Sequence, residues 1–559
     1  MKPAMKNLGV AMGLLLVLAA SARAEEERAG SRTLSAEEVQ AVAGRIRAEA
    51  VRANDDPEGR PLPLASHWTT GSHALSAGWG PQRQMELIEQ GHFLLPWFAH
   101  PPTTADLSAA SQTTFAAYYE KSIQRTRELK LPIVLVASQW EHLLSAEPYL
   151  SLPPQSNPNV VGPDGQPKPM VSPFGPVDPW RKAGATWTAN PQMRKLQQWY
   201  PDPPLVIFLS NNEHAKLTWH EVQKDRRYAE KYGSDKDDDF KRKVVADGWI
   251  ERYRALQQGM RDGLASPAWQ KAARFVGYEA FGLPHFGRWG GWPAYSLHSP
   301  GRLSPDPLMW DGGSPSYYTH NWNPSTDFTG WSPQVEFQNL VFMQREAYRL
   351  NPAFWIELSI WDGYTGGTHI RPEKNDKRKY YEGLGQTFTP QRYGGFVQFG
   401  LWLLRPRAVR EFRSWVHPWE DGRPYWMAIV EAVDRVHRQD ALRAWWRKGE
   451  LVPNRACPHM YQAAVPEEYR NVDRWFLLDA DVNPPHPWKL STNIPVFCLA
   501  LVLGQRPGRQ WLLYAHSPLA DRKQVKITIP DHGPVAVDVA VGGSFHVVDE
   551  KAGSATPVR

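Results

Sequence analysis

Leu205-Val206-Ile207-Phe208-Leu209-Ser210-Asn211-Asn212-Glu213 is a run of five apolar residues that passes directly into polar ones and ends on a carboxylate. Its apolar part is continuous rather than alternating, as expected of a strand buried on both faces within a parallel sheet. Ile133-Val134-Leu135-Val136 has the same texture. Short apolar runs, each closed by Gly, Pro or polar turn residues, recur along the chain at Leu62–Trp68, His92–Ala99, Pro132–Trp140, Leu205–Asn211, Arg274–Phe281, Ser316–Trp322, Phe354–Trp361 and Phe396–Leu403. Segments with helical patterning lie between them, among them Asp106–Lys130, Asp235–Gly263 and Ser332–Asn351. Eight strand–helix units over roughly 340 residues predict an α/β fold, a (β/α)8 TIM barrel enlarged by loop insertions. The competing open doubly wound sheet lacks its signature, because no G-x-G-x-x-G follows the first run.

Residues 1–24 read as an export signal: Lys2 and Lys6 precede the apolar stretch Leu8–Ala20, and Ala22-Arg23-Ala24 offers a small-x-small cleavage site. The protein is therefore expected to be secreted or periplasmic. Residues 25–60 form an N-terminal segment with a helix expected over Ser35–Asn54, opened by Ser35 and Glu38 in capping-box positions. The barrel is assigned to 61–450, with an insertion at 143–204. Nine prolines fall between Pro153 and Pro179, interleaved with or followed by Phe174, Trp180, Trp187 and Trp199, which predicts an ordered lid or groove wall. A long helix is expected over Tyr425–Lys448. From about Arg474 short strands follow one another (Trp475–Leu478, Val496–Val502, Gln510–Ala515, Val525–Ile529, Val535–Val541), so 451–559 is expected to be an all-β C-terminal domain, a β-sandwich.

The 559 residues are 42% hydrophobic and 12% aromatic, with 26 Trp and 50 Pro, which fits a folded chain with many stiff loops and excludes a disordered one. Net charge is +6, but Lys2, Lys6 and Arg23 of the export signal supply three of those charges. No concentrated basic face remains, which argues against nucleic acid as a partner. Beyond the signal, no stretch approaches the roughly 20 apolar residues of a membrane span. Cys457 and Cys498 are the only cysteines. They can close one disulfide, worth about 3–4 kcal/mol by loop entropy, or stand as two buried thiols.

In such a barrel the chemistry sits at the C-terminal ends of the strands. The fourth run ends Ser210-Asn211-Asn212-Glu213, and the seventh carries Glu357 in Phe354-Trp355-Ile356-Glu357-Leu358. Two carboxylates after strands four and seven face each other across a narrow mouth. Glycosidic bond cleavage needs that pair, one group to protonate the leaving oxygen and one to attack the anomeric carbon or activate water.

Asn-Glu at the end of strand four with Glu on strand seven resembles clan A, the retaining glycoside hydrolases with (β/α)8 barrels. The resemblance spans roughly residues 60–405 and is architectural. It implies that Glu213 is the acid/base, that Asn212 holds the sugar 2-hydroxyl, and that Glu357 is the nucleophile. It also implies Trp402 on strand eight as the aromatic platform, and Tyr318 or His320 on strand six as a hydrogen-bond donor to the nucleophile. The chain departs from the clan at strand one, where His67-Trp68 stands in place of an arginine.

Independent of that resemblance, Trp289 and Trp292 in the Gly-rich loop after strand five, and Trp140, Trp322 and Trp361 at the ends of strands three, six and seven, place indoles where flat sugar faces would stack. Glu141, Glu279 and Asp362 occupy similar rim positions and compete with the chosen pair. Arg288, Arg371 and Arg392 suit either a sulfated or carboxylated glycan or surface ion pairs. The Asp235–Asp239 run lacks EF-hand spacing and reads as a helix start, and His220-Glu221 lacks the second His of a zinc motif. The expectation is a retaining glycoside hydrolase acting on a β-linked poly- or oligosaccharide, charged or sulfated glycans included, with no cofactor and no metal. A non-catalytic glycan-binding protein and a polysaccharide lyase using the same cleft are the alternatives.

Overall fold

The computed structural model describes residues 64–66, 85–86, 89, 93–94, 109–138, 147–211, 219–278, 306–314, 316–318, 344, 347–348, 350–361, 389–411, 419–452, 479–480, 496–517 and 520–558. The export signal, the Ser35–Asn54 helix and Cys457 lie outside them.

The first part of the chain runs β1 (Leu64–Ser66), β2 (Phe93–Leu94), α1 (Ala109–Glu128), β3 (Ile133–Ser138), the hairpin β4 (Asn159–Val161) and β5 (Pro167–Val171), α2 (Asp178–Thr188), α3 (Pro191–Trp199) and β6 (Val206–Asn211). It continues through α4 (Asp238–Gly263), β7 (Ala273–Tyr278), β8 (Gly312–Ser314), β9 (Ser316–Tyr318), β10 (Trp355–Trp361), α5 (Pro390–Leu404), β11 (Ala408–Glu411), α6 (Trp419–Arg438) and α7 (Asp440–Lys448).

Apart from the β4–β5 hairpin, these strands make one sheet in the order β2-β1-β11-β10-β8-β7-β6-β3, with β9 also on β10. All its pairings are parallel. An open doubly wound sheet keeps its first and last strands apart. Here β1 pairs with β11, so the sheet curls into part of a barrel. With β8 and β9 sharing one position beside β10, β6 is the fourth strand of the parallel series among the described residues and β10 the seventh.

The eighth strand corrects the sequence expectation. Phe396–Leu403 is not a strand but the core of helix α5, and the eighth strand is the shorter run Ala408–Glu411. Thr389 caps the helix by accepting from Arg392 N, and Pro390 occupies its first turn. A largely apolar run does not reveal its period, and this one is apolar on most of its circumference because the helix is buried on most sides: 12 of its 15 residues are buried. On the sheet side, Phe396 stacks on Tyr317 at 4.0 Å and Tyr317 Oη donates to the Phe396 carbonyl. Gly400 keeps this approach open, since a Cβ there would lie 2.7 Å from the Tyr317 ring.

From residue 147 on, the insertion forms a hairpin and helices, but Trp180 and Trp187 do not line a groove. Trp180 and Trp187 are core residues, at 0% and 4% exposure, where α2 lies against α4. Trp180 meets Trp249 at 5.9 Å and Tyr253 at 5.6 Å, and Trp187 meets Phe208 of β6 at 6.0 Å. Glycines permit the crossing: a Cβ on Gly259 would lie 1.9 Å from the Arg181 carbonyl. The hairpin is tied down by buried Asp225, which accepts from Ser172 Oγ and from Arg227. The expected Tyr425–Lys448 helix is two helices, α6 and α7, interrupted at Gln439.

The C-terminal part is antiparallel. β12 (Glu450–Leu451), β14 (Phe497–Leu503), β15 (Gln510–His516), β18 (Ser544–Asp549) and β19 (Ala555–Pro557) form one sheet, and β13 (Asp479–Ala480), β16 (Arg522–Ile529) and β17 (Gly533–Val539) another. Val525, Ile527, Val535 and Val537 of the smaller sheet pack with Cys498, Ala500, Trp511 and Leu513 of the larger. Cys498 is a free buried thiol in that layer.

The outer face of the larger sheet closes over α5 and α7. Phe399 meets Phe497 at 5.9 Å, Trp402 meets Phe545 at 5.3 Å, and Tyr514 Oη donates to the Gly395 carbonyl at 2.6 Å. His516 faces Gly395, where a Cβ would come within 2.4 Å of Nδ1.

Burial first, and then the Arg392 guanidinium, push the His516 imidazole down to about 3. The unfolded chain protonates this side chain near pH 6.5, whereas the folded protein does not. Its contribution is therefore complete above pH 6.5 and is lost as pH falls toward 3, by up to about 1.4 kcal/mol per pH unit. The thermal midpoint of the parent protein should fall more steeply between pH 6.5 and 4 than that of His516→Leu. Parallel slopes in the two proteins would contradict this.

Candidate active site

β6 ends at Asn211, so Asn212 and Glu213 follow directly on the fourth strand; both lie outside the described residues. On β10, Ile356, Leu358 and Ile360 join the apolar layer, with Leu358 close to Gly400 of α5. Alternation in a strand then turns Glu357 and Ser359 to the opposite face, the inside of the curled sheet. The register Gly313↔Ile356 and Ser316↔Ser359 sets Ser314 opposite Glu357.

Glu357 is the third of seven strand residues and is 0% exposed. Both carboxylate oxygens are engaged. Trp355 Nε1 donates to Oε1 at 3.2 Å, and Arg410 donates to Oε2 through Nε at 3.0 Å and through Nη2. Arg410 comes from β11, where it is the register partner of Ser359 and is 1% exposed. The ion pair is thus closed to solvent and hydrogen-bonded on both sides, the condition under which a buried pair is tolerated. Beside it, Arg410 Nη1, Ser359 Oγ and Ser314 Oγ are buried without a hydrogen-bond partner among the described residues.

Trp402 is a correction. As part of α5 it is 0% exposed, wedged edge-on between Trp446 at 5.1 Å and Phe545 at 5.3 Å, and it faces no cleft. Arg392 is another: it is buried beside His516 at the start of α5, neither a surface ion pair nor a rim fork. Tyr318 and Trp361 end β9 and β10 as register partners. His320, Trp140, Trp289, Trp292, Trp322, Glu141, Glu279, Asp362, Arg288 and Arg371 lie outside the described residues. Asp237 caps α4 by accepting from Phe240 N, while Asp238 and Asp239 pair with Lys241 and Arg242, so the acidic run opens a helix. Among the described residues no cluster of three or more His, Cys, Asp or Glu could hold a metal ion, and no helix is long and apolar enough to cross a membrane.

Sequence reasoning missed Arg410. The signal was present: in the short strand Ala408-Val409-Arg410-Glu411 a cation follows two apolar residues, and an arginine carried into a buried strand calls for an anion. The longer apolar run just before it drew the eighth-strand assignment away.

No known family profile matches the chain, and no curated protein matches it. Among solved structures, a GH5-4 broad specificity endoglucanase from an uncultured bacterium is similar over 70% of this chain and 96% of its own, with a TM-score of 0.34 and 10% identity. That likeness is weak.

Proposed function

We propose that the chain is an exported retaining glycoside hydrolase whose curled sheet closes into a (β/α)8 barrel and whose substrate is a β-linked poly- or oligosaccharide. One observation carries the reading: Asn212-Glu213 follows the fourth parallel strand, and the seventh carries an inward carboxylate, Glu357, beside Arg410.

Glu357 attacks the anomeric carbon as Glu213 protonates the departing oxygen. The glycosyl ester is then opened by a water whose proton returns to Glu213. This requires the two carboxyls to lie about 5–5.5 Å apart. Arg410 and Trp355 hold the attacking carboxylate in one orientation. Asn212 meets the 2-hydroxyl, and the rim indoles Trp289, Trp292 and Trp361 stack on sugar faces.

The test is proton NMR of the first-formed product from aryl β-glycosides in the gluco, galacto, manno and xylo configurations and from neutral and sulfated β-glycans. The β-anomer should appear first. Initial α-anomer, an unsaturated lyase product, or no turnover on any substrate overturns the reading.

A second reading is favoured by the full burial of Glu357 and its closed pair with Arg410. There Glu357 is a clamp inside the sheet, and Asp362, the next residue after β10, is the nucleophile. The residue esterified during turnover separates the two.

A further inference from the structure

Buried polar groups in folded proteins are almost always hydrogen-bonded, so unpartnered ones gathered in one place need an explanation. Among the described residues there are three beside Glu357: Arg410 Nη1, Ser359 Oγ and Ser314 Oγ, in residues of at most 1% exposure. Ser359 and Arg410 are register partners on β10 and β11, two register positions beyond Glu357↔Ala408 toward the C-terminal end and on the same face. That is the end from which substrates reach the interior of sheets of this kind. Arg410 spends Nε and Nη2 on Glu357, which fixes the plane of its guanidinium and leaves the Nη1 hydrogens aimed elsewhere.

We propose that Ser359 and Arg410 together read a hydroxyl of the sugar unit whose anomeric carbon Glu357 attacks, and so set which sugar is accepted. A hydroxyl satisfies both groups at once, accepting from Arg410 Nη1 and donating to Ser359 Oγ. A substrate lacking it leaves both unpaired in a water-poor site, which is how buried polar groups reject an analogue. Ser314, on the other flank of Glu357, adds a further hydroxyl to this floor. The inference rests on the reading of Glu357 as nucleophile.

The experiment compares wild type, Ser359→Ala and Arg410→Lys on the aryl β-glycoside that wild type cleaves fastest and on its monodeoxy analogues. Lysine at 410 keeps a cation beside Glu357 but removes the second donor. Each variant should lose about tenfold or more in kcat/KM on the parent glycoside. On one deoxy analogue Ser359→Ala should match wild type within about twofold, since the missing hydroxyl leaves nothing to lose, and Arg410→Lys, which also loosens its hold on Glu357, should show its smallest loss on that same analogue. Equal losses on every analogue, or none on the parent, overturn the inference while the functional reading stands. A wild type that cleaves no glycoside overturns both. Ser359→Ala removes a single oxygen, so it decides the matter even where Arg410→Lys fails to fold.

Discussion

Glu213→Gln should lower kcat/KM for a β-glycoside with a poor leaving group by about 10²- to 10⁴-fold, the range that a positioned proton donor supplies. With a leaving group acidic enough to depart unprotonated, such as 2,4-dinitrophenolate, formation of the ester should be nearly unaffected and its hydrolysis should become limiting. A burst of phenolate followed by a slow steady state is the expected trace. Equal slowing for both leaving groups contradicts an acid/base role. Glu357→Gln should be more severe, about 10⁴-fold or more for every leaving group, because no covalent intermediate can form. It also leaves Arg410 as a buried charge without its counterion, a loss of about 3–5 kcal/mol that denaturant unfolding would register independently of activity.

The second large effect concerns the β-rich module. Ending the chain at residue 449 strips the cover from α5: Phe399 loses Phe497, Trp402 loses Phe545, and the Gly395 carbonyl loses Tyr514 Oη. Aromatic side chains of this size bury about 150–250 Å² each, worth up to about 4–6 kcal/mol apiece at 25 cal/mol per Å². Uncovering several at once exceeds the about 5–15 kcal/mol that holds a typical domain together. The truncated chain should therefore be insoluble or melt without a cooperative transition, and a truncated protein melting like the full chain would contradict this packing. The module is a wall of the core rather than a detachable appendage, since one apolar cluster runs from Leu358 through Phe399 and Trp402 to Leu512 and Tyr514.

How far these features could be read in advance depended on whether a local pattern determined them. Ile133–Val136 and Leu205–Leu209 are short, rich in β-branched residues and continuous, and they became β3 and β6 at the expected places in the parallel order. Phe396–Leu403 is apolar apart from Gln398 and Gly400, with Val397 its only β-branched residue, and became a helix; burial on nearly every side blurs the period that tells a helix from a strand. The Thr389-Pro390 start signal was the local clue to the correct outcome. That one exchange carried Trp402 from an imagined rim into the core and hid Arg410, which depends on a register between β10 and β11 that no single segment encodes. Trp180 and Trp187 failed similarly: an indole in a Pro-rich insertion has no sequence mark separating a groove from a helix crossing, and the glycines at 184 and 259 that create the crossing are distant in the chain.

The most direct test of the account is a trapping measurement. Incubation with 2,4-dinitrophenyl 2-deoxy-2-fluoro-β-glycosides lets the ester form but slows its hydrolysis, and peptide mass mapping then identifies the esterified residue. One glycosyl ester per chain is expected, on Glu357. An ester on Asp362, or none on a chain that still turns over glycosides, contradicts it.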